Sequence, residues 1–564
     1  MNKELQARIA KWQNADLEPS LRKELATLTE EQLEDAFYTD LAFGTGGLRG
    51  VMGVGTNRMN IYIINKCTYG FGQYLIEKFP ELKERRVVIS HDCRHHSREF
   101  ATSAAGVLAE MGFKVFLFPD LRSTPELSFT TRYMKCVGGI MITASHNPPK
   151  YNGYKVYDEL GCQLVPDLAD KVIKKIDAIE DVFAIPTGDF DALLAKGQIE
   201  ILDSSVDEAY LTAVKSVKVQ DVKKDGLSIV FTPLHGTASF KLAELLASEG
   251  YHVTPVAEQM IPDGNFTTLK SPNPEDSRAF ERAIELGKKV KADILIATDP
   301  DADRMGIAIW HGGEYILLTG NQTGAILLDY LCKFKPHSNK AMVYNTIVTS
   351  NFAKAICEKY GLHLYQTLTG FKFIGEQASL IEGTDKEFFF GYEESYGYVI
   401  KDFVRDKDSY QATLLLAEVA AYYKNQGLDL VDVLNQLFAE HGYYLEGVQN
   451  IYLEGKAGSE RINRIMKAFQ KNHLTSLCGK PIVRIEDYDQ LLAFEGGKTE
   501  KLTLPRSFVL KYVFDNGGWF VLRPSGTEPK LKIYIAIVEK SKEEANKFID
   551  ALQVALSKMV EEVE

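Results

Sequence analysis

Four short segments of this sequence combine charged or hydroxyl side chains with residues that turn the chain sharply. They read TASHNP at 143–148, DPDADR at 299–304, GYEESYG at 391–397 and RPSGTEPK at 523–530. Each one directly follows an apolar, strand-like run. Because chemistry in open α/β sheets gathers in loops beyond the carboxyl ends of strands, each segment is a candidate site loop.

The first segment presents a serine hydroxyl beside a sharp turn. Asn147 and Pro148 direct the chain away and leave the hydroxyl of Ser145 accessible, so Ser145 is a candidate nucleophile or phosphate carrier. An Asn-Pro turn with a serine hydroxyl bonded to backbone is the alternative interpretation. No G-x-S-x-G pattern surrounds the serine, which argues against acyl transfer.

The second segment places carboxylates at alternate positions of a tight turn, at Asp299, Asp301 and Asp303. Three such side chains can converge on one hard cation through oxygen ligands and leave positions open for a phosphate oxygen, which favours Mg²⁺. A calcium EF-hand is excluded because Arg304 follows the third aspartate and Trp310 stands at the twelfth position. A solvated acidic turn is the alternative interpretation.

The last two segments suit a phosphorylated sugar. The carboxylates and hydroxyl at 393–395 can accept hydrogen bonds from vicinal hydroxyl groups, although an exposed glutamate pair would look the same. Arg523, two hydroxyls and a glycine form an anion cradle, with Lys530 and Lys532 adding positive charge. Arg49, among glycines, and Lys407, between acids, are further candidates for phosphate binding and proton transfer.

The elements that must position these loops are predicted from alternating strand-like and helix-like runs. The alternation predicts three related α/β domains with mixed, mostly parallel sheets. From about residue 441 the pattern becomes strand-rich and closes with an amphipathic helix, which predicts a C-terminal α+β domain. The predicted boundaries are 1–204 for the phosphoserine-loop domain, 205–317 for the metal-loop domain, 318–441 for the sugar-loop domain and 442–564 for the phosphate-loop domain.

Composition limits the classes of function. The chain has 564 residues, and its 65 Lys and Arg against 77 Asp and Glu give a formal charge of −12. That field repels nucleic acid and anionic membranes, so any phosphate-bearing partner must be small and bound locally. No apolar run approaches the roughly 20 residues of a spanning helix. Seven scattered cysteines and an N-terminus without a signal-peptide pattern predict reduced thiols in a cytoplasmic protein. The oligomeric state is not predicted.

Taken together and in this order, the four loops resemble those of the α-D-phosphohexomutase superfamily, and most closely those of its bacterial phosphoglucomutase/phosphomannomutase group. The resemblance runs through the phosphoserine loop TASHNP, the metal loop DxDxDR, the sugar loop EES and the phosphate loop RPSGTEP. It implies four domains arranged around a central cleft.

The resemblance also implies a role for each residue that matches a family motif. Ser145 would carry the phosphoryl group and would ligate Mg²⁺ together with Asp299, Asp301 and Asp303. The other catalytic residues would be Arg49, Lys155, Lys407 and His146. Substrate contacts would come from Arg304, Thr369, Gly370, Glu393, Ser395, Arg523, Ser525, Gly526 and Thr527.

The activity that the resemblance implies is that of a phosphoglucomutase. Such an enzyme interconverts α-D-glucose 1-phosphate and glucose 6-phosphate through a phosphoserine and bound glucose 1,6-bisphosphate, which is intermediate and activator. Tyr392 stands where the family has glycine, and the closing histidine of many phosphomannomutases is absent, so mannose and pentose phosphates remain open as substrates. The same motifs would also suit a glucose 1,6-bisphosphate synthase or a non-catalytic phosphosugar-binding scaffold.

Overall fold

The computed structural model describes residues 3–44, 46–453, 455–525 and 530–563. Contacts between Cα atoms divide the chain into two compact units. Unit 1 consists of Met1–Thr319, Phe371–Phe390 and Ser395–Gly427, and unit 2 consists of Gly320–Gly370, Gly391–Glu394 and Leu428–Glu564.

The first α/β domain is built on a six-stranded sheet with the strand order β1-β5-β4-β2-β3-β6. β4 pairs in parallel with β2, but β5 returns antiparallel beside β4, so the sheet is mixed. The elements are α1 Lys3–Asn14, α2 Pro19–Leu25, α3 Glu30–Phe37, β1 Leu48–Val51, α4 Ile61–Lys78, β2 Arg86–His91, α5 Ser97–Glu110, β3 Lys114–Leu117, α6 Thr124–Tyr133, β4 Gly138–Ile142, β5 Tyr151–Asp158, α7 Pro166–Asp177, α8 Phe190–Ala195, β6 Ile199–Ile201 and α9 Ser204–Lys215.

The second α/β domain has a five-stranded sheet with the order β11-β10-β9-β7-β8. β7 and β9 are parallel, and the chain then reverses through two antiparallel strands. The elements are β7 Ser228–Thr232, α10 Leu242–Ser248, β8 His252–Pro255, α11 Glu281–Val290, β9 Ile294–Thr298, β10 Met305–His311 and β11 Glu314–Leu318. Every residue of β9 is buried, so the polar loop that follows begins directly after a core strand.

The third α/β domain has a four-stranded sheet with the order β13-β12-β14-β15, in which β12 and β13 are parallel. Its elements are α12 Gly320–Phe334, β12 Ala341–Thr346, α13 Phe352–Tyr360, β13 His363–Thr367, α14 Phe371–Ile381, β14 Glu387–Glu393, β15 Gly397–Val399, α15 Ser409–Lys424 and α16 Leu430–His441. Asp408 caps α15 by accepting hydrogen bonds from the backbone of Tyr410 and Gln411.

The C-terminal domain is an antiparallel sheet covered on one face by helices, with the strand order β16-β23-β22-β21-β18-β19-β20 and β17 beside β18. Its elements are β16 Tyr443–Tyr452, α17 Gly455–Lys471, β17 Ser476–Leu477, β18 Lys480–Asp487, β19 Leu492–Glu495, β20 Lys498–Lys501, β21 Leu510–Phe514, β22 Trp519–Pro524, β23 Lys530–Glu539 and α18 Lys542–Glu561. Alternate residues of β23, such as Ile533 and Ile535, pack with Leu552 of α18 in one apolar core.

The predicted fold class is confirmed: three α/β domains precede a C-terminal α+β domain. All seven cysteines are free, as their spacing predicts. Among the described helices, none has the length and apolar character needed to cross a bilayer. What the strand patterns did not predict is the antiparallel return of β5 and the β10–β11 hairpin, because both depend on which strand becomes the neighbour.

Candidate active site

The Ser145 loop follows β4 and is held in an unusual backbone conformation. Ser145 is buried and has a φ of 49°, in the left-handed region that residues other than glycine rarely adopt. Its backbone N–H donates to Thr143 Oγ1 at 2.9 Å. The Ser145 hydroxyl lies 2.6 Å from Asp299 Oδ2 and 3.2 Å from His146 Nδ1. The serine therefore sits directly against the acidic loop that follows β9.

The acidic loop brings its three aspartates together. Asp299, Asp301 and Asp303 are buried, and one carboxylate oxygen from each lies within 4.8 Å of the others. Asp299 Oδ1 accepts the backbone N–H groups of Asp303 and Arg304, both at 3.0 Å, which closes the turn. The carboxylates therefore converge as their alternate spacing predicted.

Two lysines approach this cluster from different parts of unit 1. Lys155 lies on β5, which brings its Nζ 2.8 Å from Asp301 Oδ2 and 3.4 Å from Asp303 Oδ2. Lys407 lies in the segment before α15, with its Nζ 3.0 Å from Asp303 Oδ2 and 3.2 Å from Asp406 Oδ1. Both candidates named from the sequence thus contact the acidic loop.

Burial and these lysines shift the pKa values of the three aspartates in opposite directions. Burial and the neighbouring Asp303 and Asp301 raise the pKa of Asp299 well above its ordinary value. Burial also opposes ionisation of Asp301, but the attraction of Lys155 outweighs it and holds the pKa of Asp301 below its usual range. The pKa of Asp303 is lowered in the same way, because Lys407 and Lys155 outweigh burial and the repulsion from Asp301. The carboxyl beside Ser145 is therefore the one that most needs another positive charge.

The cluster fits a hard divalent cation. Asp301 Oδ1 and Asp303 Oδ1 are buried and accept no hydrogen bond from any side chain or backbone group in the described part of the chain. A buried carboxylate oxygen without a partner is costly, and a cation removes that cost. Three carboxylates and a serine hydroxyl are oxygen ligands of the kind that Mg²⁺ prefers.

The remaining unit 1 candidates surround the Ser145 loop. Arg49 is exposed and donates from Nη1 to Asn147 Oδ1 at 2.9 Å. Burial, followed by Arg304 and Arg49, lowers the pKa of His146 well below its ordinary value, so its imidazole is neutral at pH 7. Arg304 forms an ion pair with Glu275.

One buried arginine, which no sequence motif predicted, binds the backbone of the Ser145 loop. Arg94 donates to the carbonyl oxygens of Ser145 at 2.6 Å and of Pro148 and Tyr151 at 2.9 Å. Its guanidinium is fully buried beside Asp92, with Nε 3.3 Å from Asp92 Oδ2. Asp92 and Arg94 follow β2 closely. Charged residues just after a strand are the same signal that marks the four site loops, so these two residues were predictable from their position.

A second missed residue reaches the acidic loop. Thr124, the first residue of α6, donates from Oγ1 to Asp301 Oδ2 at 2.9 Å and from its backbone N–H to the Asp301 carbonyl at 2.9 Å. Ser123 caps α6 by accepting the N–H of Glu126, which fixes the start of the helix at this position. Thr124 follows β3, so the same strand-end rule applied to β3 points to it.

In unit 2, the sugar loop begins at the end of β14. Glu393 is buried, and the next residue, Glu394, accepts hydrogen bonds at Oε2 from Thr346 and Thr349 at 3.1 and 3.0 Å. The loop after β13 contains two further candidates of unit 2: Thr369, with a buried hydroxyl, and Gly370, with a φ of 120° that favours glycine. Ser395 is half-buried and belongs to unit 1.

The phosphate loop begins at the end of β22. Arg523 donates from Nη1 to the Tyr534 hydroxyl at 3.3 Å, and the backbone N–H of Ser525 donates to the Lys530 carbonyl at 2.7 Å. Gly526 and Thr527 lie outside the described residues. The described part of the predicted cradle is therefore an arginine, a serine and the start of the turn.

Comparison with family models covers most of the chain. The models for phosphoglucomutase/phosphomannomutase match in order: α/β/α domain I at residues 40–183, α/β/α domain II at 208–312, α/β/α domain III at 319–441 and the C-terminal domain at 483–552. The chain belongs to the phosphoglucomutase/phosphomannomutase family. This confirms the resemblance drawn from the four loops and makes the protein a member of a family of mutases.

Individual relatives agree with the family models. A phosphoglucomutase from Staphylococcus epidermidis is 37% identical over 515 residues, which are 90% of this chain and 93% of that protein. One from Staphylococcus saprophyticus is 35% identical over 534 residues, 93% of this chain and 95% of that protein.

Solved structures share the fold. The phosphoglucomutase parafusin from Paramecium, in its open form, has a TM-score of 0.70 at 18% identity and covers 93% of this chain and 95% of its own. A phosphoglucomutase/phosphomannomutase family protein from Burkholderia thailandensis has a TM-score of 0.67 at 18% identity, with coverage of 92% and 97%.

Proposed function

We propose that this protein is a phosphoglucomutase that interconverts α-D-glucose 1-phosphate and glucose 6-phosphate. Curated phosphoglucomutases 35–37% identical over most of the chain support that substrate. The observation that carries the chemistry is the Ser145 hydroxyl 2.6 Å from Asp299, within a buried cluster of three aspartates and two lysines. A cytoplasmic location stays the prediction from the sequence.

Ser145 is proposed to carry the phosphoryl group between turnovers. In the first half-reaction the bond from phosphorus to Ser145 Oγ breaks and a bond to the free 6-hydroxyl of glucose 1-phosphate forms, giving bound glucose 1,6-bisphosphate. The 6-hydroxyl loses its proton, for which the candidate acceptors are the neutral imidazole of His146 and, once either has given up its own proton, the amine of Lys155 or Lys407. After the intermediate turns around, the bond from phosphorus to the 1-oxygen breaks and a bond to Ser145 Oγ forms again. The 1-oxygen takes up the proton that the 6-hydroxyl gave to the acceptor, and glucose 6-phosphate remains.

The side chains around Ser145 supply positioning and charge. Phosphoryl transfer depends mostly on these two effects, because the transferred group carries its charge on three peripheral oxygens. Lys155 and Lys407 offset negative charge, and Arg49, beside Asn147, is placed to bind a phosphate oxygen. Arg94 holds the backbone of Ser145 in its left-handed conformation.

Asp299, Asp301 and Asp303, with Ser145, are the residues proposed to hold Mg²⁺. When bound, the ion supplies Lewis-acid stabilisation of the phosphoryl oxygens. The buried Oδ1 atoms of Asp301 and Asp303, which accept no hydrogen bond in the described part of the chain, support this assignment.

In unit 2, Glu393 is proposed to accept hydrogen bonds from the sugar hydroxyls, with Thr369 and Gly370 lining the loop and Ser395 following in sequence. Arg523, Ser525, Gly526 and Thr527 are proposed to bind the phosphate that is not being transferred. Arg304 is proposed as a further substrate contact in unit 1.

A mutase assay on the purified protein tests the proposal. With Mg²⁺ and a trace of the matching bisphosphate, we expect kcat/KM for glucose 1-phosphate to exceed that for mannose and ribose 1-phosphates by about tenfold or more, which is about 1.4 kcal/mol of transition-state discrimination. A preference for mannose or ribose would assign another mutase activity. No turnover of any of them would favour a synthase or a binding scaffold.

The phosphoserine step has its own test. Ser145→Ala should lower kcat by about a thousandfold. We also expect mass spectrometry to detect a phosphate on the peptide that contains residue 145 in the wild type and none in the variant. Ser204→Ala changes an exposed serine of unit 1 and is the matched control. Wild-type turnover by Ser145→Ala would refute the mechanism.

A further inference from the structure

The segment 346–351, which comprises the last residue of β12 and the loop leading to α13, contacts both the sugar loop and the C-terminal sheet in unit 2. We call it the spacer loop. On one side the hydroxyls of Thr346 and Thr349 donate to Glu394 Oε2 at 3.1 and 3.0 Å, and they lie 2.9 Å from each other. Both threonines are fully buried. The spacer loop therefore holds the residue that directly follows Glu393.

On its other side the spacer loop is bound by the C-terminal sheet. Lys511 donates from Nζ to the Ile347 carbonyl at 2.8 Å. Asn351 donates from Nδ2 to the Gly517 carbonyl, in the turn between β21 and β22, at 2.8 Å. The ring of Phe352 stacks on Tyr444 of β16, with 4.5 Å between centroids and 11° between planes. Three separate contacts thus attach the spacer loop and the first residue of α13 to the C-terminal sheet.

Lys511 lies on the same face of the sheet as Arg523, the first residue of the proposed phosphate cradle. Lys511 pairs with Val521 of β22, and Arg523 follows Val521 by two residues, so the side chains at 511, 521 and 523 share one face. The Lys511 ammonium also lies 4.8 Å from the centroid of the Trp519 ring, on that face. A continuous set of contacts therefore runs from Glu394 through the spacer loop and Lys511 to β22, the strand that carries Arg523.

The division of the chain into compact units agrees with these contacts. Residues Gly391–Glu394 group with the C-terminal domain, whereas the preceding residues of β14 and the following Ser395 group with unit 1. The short segment that begins the sugar loop therefore belongs to the same compact unit as the spacer loop and the C-terminal domain.

We propose that the spacer loop sets the distance between the sugar loop and the phosphate cradle, and that Lys511 and Glu394 are positioning residues for a hexose phosphate. The inference rests on the proposed function, since it assigns Glu393 to the sugar and Arg523 to the phosphate. The ring size of a sugar phosphate limits the separation between its hydroxyls and its phosphate. A fixed spacing between their two binding groups therefore selects the ring size of the substrate.

The test compares Lys511→Met with wild type on glucose 1-phosphate and ribose 1-phosphate. Lys511→Met keeps an unbranched side chain of similar length but removes the donor to Ile347 O. We expect kcat/KM for glucose 1-phosphate to fall about tenfold and the ratio of the two kcat/KM values to fall about fivefold. That ratio is measured on one sample, so the fraction of folded protein cancels. Lys480→Met removes a lysine that pairs with Glu539 inside the C-terminal domain and is the matched control, with less than about a twofold change in either value.

A double-mutant cycle tests the path itself. Thr349→Val removes one donor to Glu394, and we expect it to lower kcat/KM about tenfold on its own. If either substitution alone displaces the spacer loop, the double variant Lys511→Met with Thr349→Val should lower kcat/KM about tenfold rather than about a hundredfold. The pair Lys480→Met with Thr349→Val should lose only what Thr349→Val loses.

The outcomes separate the two proposals. An active wild type whose ratio is unchanged by Lys511→Met, or a fully multiplicative loss in the double variant, overturns the spacer and leaves the proposed function standing. A wild type that turns over neither sugar phosphate overturns the proposed function, and the spacer with it.

Discussion

Replacing Lys511 should make the C-terminal domain more stable at neutral pH. Lys511 is 4% exposed, and burial lowers its pKa to about 8, against an ordinary value of 10.5. Glu486 opposes that shift, whereas Arg484 and Lys354 add to it. Folding therefore favours the neutral amine, and the charged form present at pH 7 is held at a cost to stability.

The magnitude follows from the difference between the two pKa values. A shift of one unit is 1.36 kcal/mol, so a charged Lys511 costs about 3 kcal/mol below pH 8. Because the unfolded chain binds more protons than the folded chain between pH 8 and 10.5, wild-type stability rises with pH across that window. The methionine variant lacks this term, but it also loses a hydrogen bond worth about 1–2 kcal/mol. At pH 7, Lys511→Met should therefore be more stable by about 1–2 kcal/mol, and by pH 10.5 it should be the less stable protein.

The assay is urea unfolding followed by the fluorescence of Trp519, which lies beside Lys511. The chain has 3 tryptophans, so Trp12→Phe and Trp310→Phe in both proteins leave Trp519 as the reporter. Lys480→Met, which removes the ion pair with Glu539, serves as control and should not gain stability at pH 7. A difference between wild type and Lys511→Met that stays constant from pH 7 to 10.5 would refute the reasoning. A more stable variant with lower turnover would show that the charge is kept for positioning.

Three further predictions concern unit 1. Arg94→Ala should lower kcat by about a hundredfold, because the carbonyls of Ser145, Pro148 and Tyr151 lose their common donor. Arg94→Lys should recover part of that loss. Steady-state kinetics measure both variants, and an unchanged kcat would contradict this role of Arg94. Thr124→Val should raise the Mg²⁺ concentration needed for half-maximal activity by about tenfold, since Asp301 loses one donor; an unchanged Mg²⁺ titration would rule out that role. EDTA should abolish turnover and excess Mg²⁺ restore it, whereas full activity in EDTA would exclude the metal assignment.

Much of the fold was predictable because strands and loops produce distinct patterns of apolar and polar residues over short stretches of sequence. The strand predicted at 86–90 is β2 Arg86–His91, and the run at 138–143 is β4 Gly138–Ile142. A strand buried on both faces must be apolar along its length, and a loop that follows it must be polar, so both leave a signal in a few consecutive residues.

The partners of each loop were not predictable in that way. Lys155 reaches the acidic loop only because β5 returns antiparallel beside β4, and Thr124 reaches Asp301 only because the start of α6 faces that loop. Neither pairing changes the local pattern of either segment.

The sequence alone determined the family, the fold class and the residue types that the chemistry needs, since each depends on short motifs and their order. The tertiary structure decided which side chains share a charge environment: Asp299 faces Ser145, Lys155 and Lys407 approach Asp301 and Asp303, Arg94 lies beneath the Ser145 loop, and Lys511 contacts the spacer loop. The physical reason is that pKa values, buried hydrogen bonds and positioning depend on distances of a few ångströms between residues far apart in the chain, and those distances exist only once the sheets have formed.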